Sequence, residues 1–248
     1  MAKHIRNHIL SALVFSSLVA SSCAKEEESL YIVHMLPIDE EECSAAPGNE
    51  SLAWGIVDLS FDTGYVMMAQ IRNNLAESDN KSSNTGINDS EISLKNVDIR
   101  LSIPQDPELI DAVAAIDPSL TEFNNAMSSD SIEGQGDRAV AIRLPNASLE
   151  ALRMAITNKY GADSNLRVGL LISMVVHGLR TGNELGGGIG RIDAREFEFP
   201  IDICMNCLRD CSGCVDGAVC EDTRVGGGGI CGNAQDRVTF APGCVTEE

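Results

Sequence analysis

The stretch 91–103, EISLKNVDIRLSI, sets apolar side chains at Ile92, Leu94, Val97, Ile99, Leu101 and Ile103. Alternation of this kind sends one face of an extended strand into a core and the other into water. The step from Leu94 to Val97 breaks the two-residue rhythm and predicts a β-bulge near Lys95–Asn96. Similar runs recur at 137–144 (DRAVAIRL), 166–178 (LRVGLLISMVVHG) and 191–203 (RIDAREFEFPIDI). Residues 52–60 (LAWGIVDLS) and 64–72 (GYVMMAQIR) are apolar runs split by a short turn and read as a hairpin. At least six strands with closely spaced turn signals predict a mainly β fold, an immunoglobulin-like β-sandwich. One helix is expected after Asn146, where Leu149, Leu152, Ile156 and Tyr160 fall at helical spacing and Gly161 closes the run. Residues 105–134 are ambiguous; PELIDAVAAI fits one or two helical turns ended by Pro118.

The N-terminus reads as an address rather than a fold element. Lys3 and Arg6 precede an apolar run of twelve residues, Ile9–Ala20, well short of the roughly 20 that a spanning helix needs. Ala20, Ser21 and Ser22 then lead into Cys23. This segment resembles the lipobox of bacterial lipoprotein precursors, departing from it at Ala20, where leucine is usual. The resemblance implies diacylglycerol on the Cys23 thiol, cleavage before it, and palmitate-type chains that make attachment durable. Ala24, rather than aspartate, after the cysteine implies an outer-membrane destination. The expected organisation is a signal peptide over 1–22, a lipidated acidic tether over 23–50 with one strand at Leu30–Leu36, a sandwich over 51–203 and a cysteine-rich tail over 204–248.

Nine cysteines are present: Cys23, Cys43, Cys204, Cys207, Cys211, Cys214, Cys220, Cys231 and Cys244. With Cys23 acylated, eight remain, and an exported chain oxidises them to disulfides. Seven lie in the tail, so one of them must reach Cys43 if all are paired. Such a bridge closes a loop of more than 160 residues, nominally worth about 5 kcal/mol. The other pairings stay open, because eight cysteines allow about a hundred connectivities. The competing reading is metal: Cys204–Cys214 has the spacing C-x2-C-x3-C-x2-C. Zinc knuckles are usually farther apart, and the ferredoxin pattern differs in spacing and proline. A redox CxxC normally opens a helix, which nothing here predicts.

The strand 94–104 and the segment 196–204, EFEFPIDIC, resemble matching parts of cysteine-rich lipoproteins of myxobacterial type. That resemblance covers most of the mature chain and implies no activity.

Charge narrows the partners. Residues 1–22 hold Lys3 and Arg6 and no acid, so their removal deepens the formal charge from −19 to −21. Such a surface repels phosphate backbones, which excludes nucleic acid, and it disfavours anionic headgroups. The lipid is the expected membrane contact, with an envelope protein or glycan as the expected partner. Catalytic motifs are lacking: Gly227–Gly232 matches GxGxxG but sits between cysteines with no strand before it. The mature chain has two histidines, His34 and His177, and His177 ends an apolar strand, where a structural role is the expectation. No catalytic residue, metal ligand or cofactor is assigned. The polar loops 77–90 and 181–190 are the expected contact surfaces, and the domain is read as a non-enzymatic interaction module. The alternative is a calcium- or zinc-binding or hydrolytic domain, with Asp79–Asp89 and Asp202–Asp222 as the acidic loops.

Overall fold

The computed structural model describes residues 29–39, 44–60, 64–76, 90–127, 131–161, 166–180, 190–205, 207–208, 218–221, 236 and 243–246. The fold is mainly β. A three-stranded antiparallel sheet runs in the order β1 (Leu30–Leu36), β3 (Tyr65–Asn73), β7 (Asp137–Leu144). A larger sheet runs β2 (Gly55–Asp58), β10 (Phe197–Cys204), β8 (Arg167–Arg180), β4 (Ile92–Ser102), β5 (Glu122–Ala126). β6 (Ser131–Ile132) extends that sheet beside β4, and β9 (Gly190–Asp193) extends it beside β8. A separate pair, β11 (Ala218–Glu221) and β12 (Gly243–Thr246), lies in the tail.

Ile32, Met67, Ile71 and Ile142 from the small sheet share one buried cluster with Val97, Ile99, Ile172, Met174 and Ile201 from the large one. The two sheets therefore enclose a common apolar core, as a sandwich does. In β4 the expected faces hold: the six apolar residues are buried, and the register shifts between Leu94 and Asn96, where the bulge was expected. The helix starting at Asn146 is also present, ending at Tyr160 with Gly161 at φ +80° closing its C-terminus.

Four features differ from the sequence reading. The segments 52–60 and 64–72 do not form a hairpin. β3 is the central strand of the small sheet and pairs β1 on one side and β7 on the other. Every residue from Tyr65 to Ile71 is buried, so neither edge nor face of β3 is free for β2. The β2 strand crosses to the other sheet and pairs β10 in parallel, Ile56 opposite Asp202, a departure from the all-antiparallel sandwich expected.

The second difference is the setting of Leu30–Leu36, a strand with the expected bounds that the sequence places in the tether. It is an edge strand of the small sheet, with Leu30 and Met35 almost wholly buried. Third, the run 191–203 is two strands. Ala194–Glu196 stand opposite Val175 and Val176, one residue more than an even ladder allows, and the kink separates β9 from β10.

Fourth, there are two helices. α1 (Pro107–Ile116) begins with proline, whose fixed φ suits a first turn, and buries Leu109 and Val113 one turn apart. It packs against α2 (Asn146–Tyr160). Lys159 Nζ on α2 bonds Asp106 at 2.7 Å and Glu108 at 2.8 Å.

Candidate interaction site

Two polar stretches of the sequence, 77–89 and 181–189, adjoin described residues at one end of the large sheet and define the candidate site. Ile92 at the start of β4 pairs Arg180 at the end of β8, and Arg180 pairs Gly190 at the start of β9. The described residues flanking 77–89 on its C-terminal side and 181–189 on both sides thus lie in one row. The near side of 77–89 is tied to that row by Asn73, which is fully buried at the end of β3. Its amide Nδ2 donates to the Ser90 carbonyl at 2.6 Å and to the Ile132 carbonyl at 2.9 Å. Its Oδ1 accepts from the Leu75 amide at 3.0 Å. Gln135 Nε2 adds bonds to the carbonyls of Asn74 and Leu75 at 2.9 and 3.1 Å. One buried side chain thereby locks three backbone segments, and asparagine suits this because its amide donates twice and accepts as well.

Below this rim a charged clamp crosses the outer face of the large sheet. His177 is 5% exposed. Asp193 stands directly opposite it on β9, and its Oδ1 lies 2.6 Å from His177 Nδ1. Asp98 reaches from β4, with Oδ2 2.8 Å from Nε2. Arg191 closes the corner, Nε donating to Asp193 at 2.7 Å and Nη2 lying 3.0 Å from His177 Nδ1. Asn124 on β5 donates to the other oxygen of Asp98. Burial pushes both carboxyls up, but hydrogen bonds outweigh it and hold them below the usual carboxylate range. Asn124 and His177 do this for Asp98, and His177 and Arg191 do it for Asp193. Both imidazole nitrogens lie within hydrogen-bond reach of carboxylate oxygens. The clamp binds β4, β8 and β9 together at the base of the rim.

Beside the clamp, the same face carries a groove of about 370 Å³ lined by Asp98, Arg100, Glu122, Asn124, Ser173 and Glu196 among others. Arg100 pairs with Glu122 across β4 and β5 at 3.3 Å.

At the opposite edge, Cys204 and Cys207 form a disulfide. Their Sγ atoms and the buried Asp58 carboxylate lie within 4.8 Å of one another, the sole cluster among the described residues with metal-ligand proximity. Asp58 Oδ1 accepts from the Ser60 amide and hydroxyl at 3.0 and 2.7 Å, and Oδ2 accepts from the Leu208 amide at 3.0 Å. In the tail, backbone register sets Cys220 opposite Cys244. Cys23, Cys43, Cys211, Cys214 and Cys231 lie outside the described residues, as do Asp79–Asp89 and the Gly227–Gly232 segment. Asp202, which opens the other acidic segment, faces Arg167 3.8 Å away, and Asp222 lies outside the described residues. His34 lies on β1, with Nε2 buried and without a hydrogen-bond partner.

The sequence puts His177 at the end of an apolar strand; it lies inside β8, which runs on to Arg180, and its partners are not legible in the sequence. Asp98 and Asp193 lie 79 and 16 residues away. The one signal pointing to them is that both fall on solvent-facing positions of alternating strands. Asn73 gave none, since an asparagine ending a strand reads as an ordinary turn residue.

No protein-family model matches the chain, and no curated protein matches its sequence.

Proposed function

We propose that this protein is a non-catalytic, lipid-anchored module of the bacterial envelope that binds a protein or glycan partner through segments 77–89 and 181–189. The N-terminal reading supports the anchor: a charged start, a short apolar run and small residues before Cys23. Acylation there places the mature domain outside the cytoplasm, at the outer membrane. No helix among the described residues is long and apolar enough to cross a membrane, so acyl chains are the contact this reading requires.

The observation that carries the binding role is the rim. Recognition segments work best when a rigid scaffold holds their ends. Here the buried Asn73 bonds and the half-buried Asp98–His177–Asp193 clamp lie where two long polar segments begin and end. Such contacts are costly to place in a sandwich that apolar packing alone would hold.

Two experiments test the reading. Cys23→Ala should move the protein from the membrane fraction to the soluble one; an unmodified N-terminal peptide in the wild type would refute the anchor. The Cys23→Ala domain should be retained on envelope extract. Replacing 77–89 or 181–189 by glycine–serine linkers should abolish retention without changing thermal unfolding. Undiminished retention by both linker variants would refute the binding role.

A further inference from the structure

We propose that Cys204–Cys207 is a thiol–disulfide exchange site, opened by an extracytoplasmic dithiol, and that its opening releases the Leu208 amide from Asp58.

A disulfide stabilises chiefly by joining segments that would otherwise wander apart in the unfolded chain, and the effect grows with loop length. This bridge joins residues three apart, so it contributes little of that kind. On the β10 side the backbone is held without the bridge, the Leu59 amide donating to the Cys204 carbonyl at 2.9 Å.

The surroundings fit chemistry instead. Cys204 is 1% exposed, whereas Cys207 is half-buried and so the more accessible residue of the pair. Cys204 Sγ lies 3.5 Å from the Val57 carbonyl, an acceptor in place for the S–H that forms once the bond is broken. The Asp58 carboxylate shares the cluster, and a second negative charge on Cys204 so close to it in a dry site is disfavoured. The departing sulfur therefore leaves with a proton.

The exchange balances as follows. One thiolate of the dithiol attacks Cys207 Sγ, and the Cys204–Cys207 bond breaks. Cys204 keeps the electron pair and takes a proton. The second thiolate of the dithiol attacks its partner sulfur in the mixed disulfide, releasing Cys207, which takes another proton. The dithiol is oxidised to a disulfide by two electrons, and the protein pair is reduced to two thiols.

The mechanical consequence follows from Leu208. It sits one residue beyond Cys207 and bonds the same carboxylate that caps the turn at Ser60. Opening the bridge frees Cys207 to swing and removes the constraint that presents the Leu208 amide to Asp58.

The test uses the full mature chain carrying Cys23→Ala, treated with dithiothreitol under native conditions, with thiols trapped by alkylation and located by mass spectrometry. Cys204 and Cys207 should be trapped at least about 5-fold faster than the other cysteines, while far-ultraviolet circular dichroism stays native. Limited proteolysis should then cut beyond residue 208 faster than in the oxidised protein. A Cys204→Ser/Cys207→Ser variant should show that fast cutting without reductant. Reduction of the pair no faster than the rest, or only together with loss of the strand signal, overturns the proposal. So does stoichiometric zinc on the untreated protein, because the Asp58–Cys204–Cys207 cluster would then be a metal site.

Discussion

The sandwich and the C-terminal tail are held by different physics. In the sandwich, stabilisation is spread over dozens of apolar side chains shared between two sheets, and β4 and β8 pair along most of their length. The tail, where described, is attached at a few points gathered around β2: the buried Leu208 side chain, the Cys204–Cys207 bridge and several polar bonds. Leu208 bonds Asp58; the Asp236 amide donates to the Ile56 carbonyl at 2.8 Å, and Asp236 Oδ1 accepts from the Ile56 amide at 3.0 Å. Tyr65 crosses from the small sheet to donate its hydroxyl to the same Asp236 oxygen at 2.6 Å. Burial, then the neighbouring Asp236 carboxylate, push the Tyr65 hydroxyl well above its ordinary value, so it stays a donor. Glycine at 55 makes this possible, because a Cβ there would fall 1.9 Å from the Tyr65 hydroxyl. β2 is an edge strand, and Asp236 occupies its exposed hydrogen-bonding groups, which guards the edge against pairing with another chain. Distributed packing resists single changes of contact; point attachment does not.

Four changes would break or sharpen that contrast. Ile172→Ala, at a fully buried position in β8, should destabilise the whole domain by roughly 2–5 kcal/mol, seen as a lower denaturant midpoint for every probe at once. Asn73→Ala removes the side-chain donor that reaches the Ser90 and Ile132 carbonyls, at roughly 1–3 kcal/mol in all. Hydrogen exchange should show that loss concentrated at the rim.

Tyr65→Phe removes one bond to a carboxylate, worth roughly 1–2 kcal/mol. It should hasten proteolysis of the tail far more than it lowers the midpoint of the sandwich; equal effects would erase the distinction drawn here. Acid titration should have the smallest effect. Asp98 and Asp193 are held below the usual range in the fold, so their contribution is fully present above the unfolded aspartate value of about 3.9. It is lost as the pH falls through their lowered folded values. Both carboxylates are about half exposed, so solvent mutes the loss. Asp193→Asn should flatten the acid limb of a stability–pH curve while leaving its neutral plateau nearly in place.

Local pattern carried much of the fold. Apolar alternation set the span of β4, its faces and its bulge, and helical spacing with Gly161 set α2. The run Asp137–Leu144 is a strand with the bounds its sequence shows. Where the reading failed, the missing information was the identity of the partner strand. GYVMMAQIR has no polar face to reveal its central place, and a short turn before it mimics a hairpin. The candidate site was legible only as two polar segments and one strand-end histidine.

What the residues determine alone is therefore what depends on near neighbours along the chain: extended or helical backbone, which face is apolar, the strongly acidic charge, and the odd number of cysteines in the tail. Tertiary structure alone decided that β2 pairs β10 in parallel, that Asp98 and Asp193 meet at His177, and that Asp58 meets Leu208 150 positions away. The reason is physical. Periodicity is written in steps of two to four residues, whereas a contact between distant segments is selected by the packing of the entire core, and no short window of sequence contains that sum.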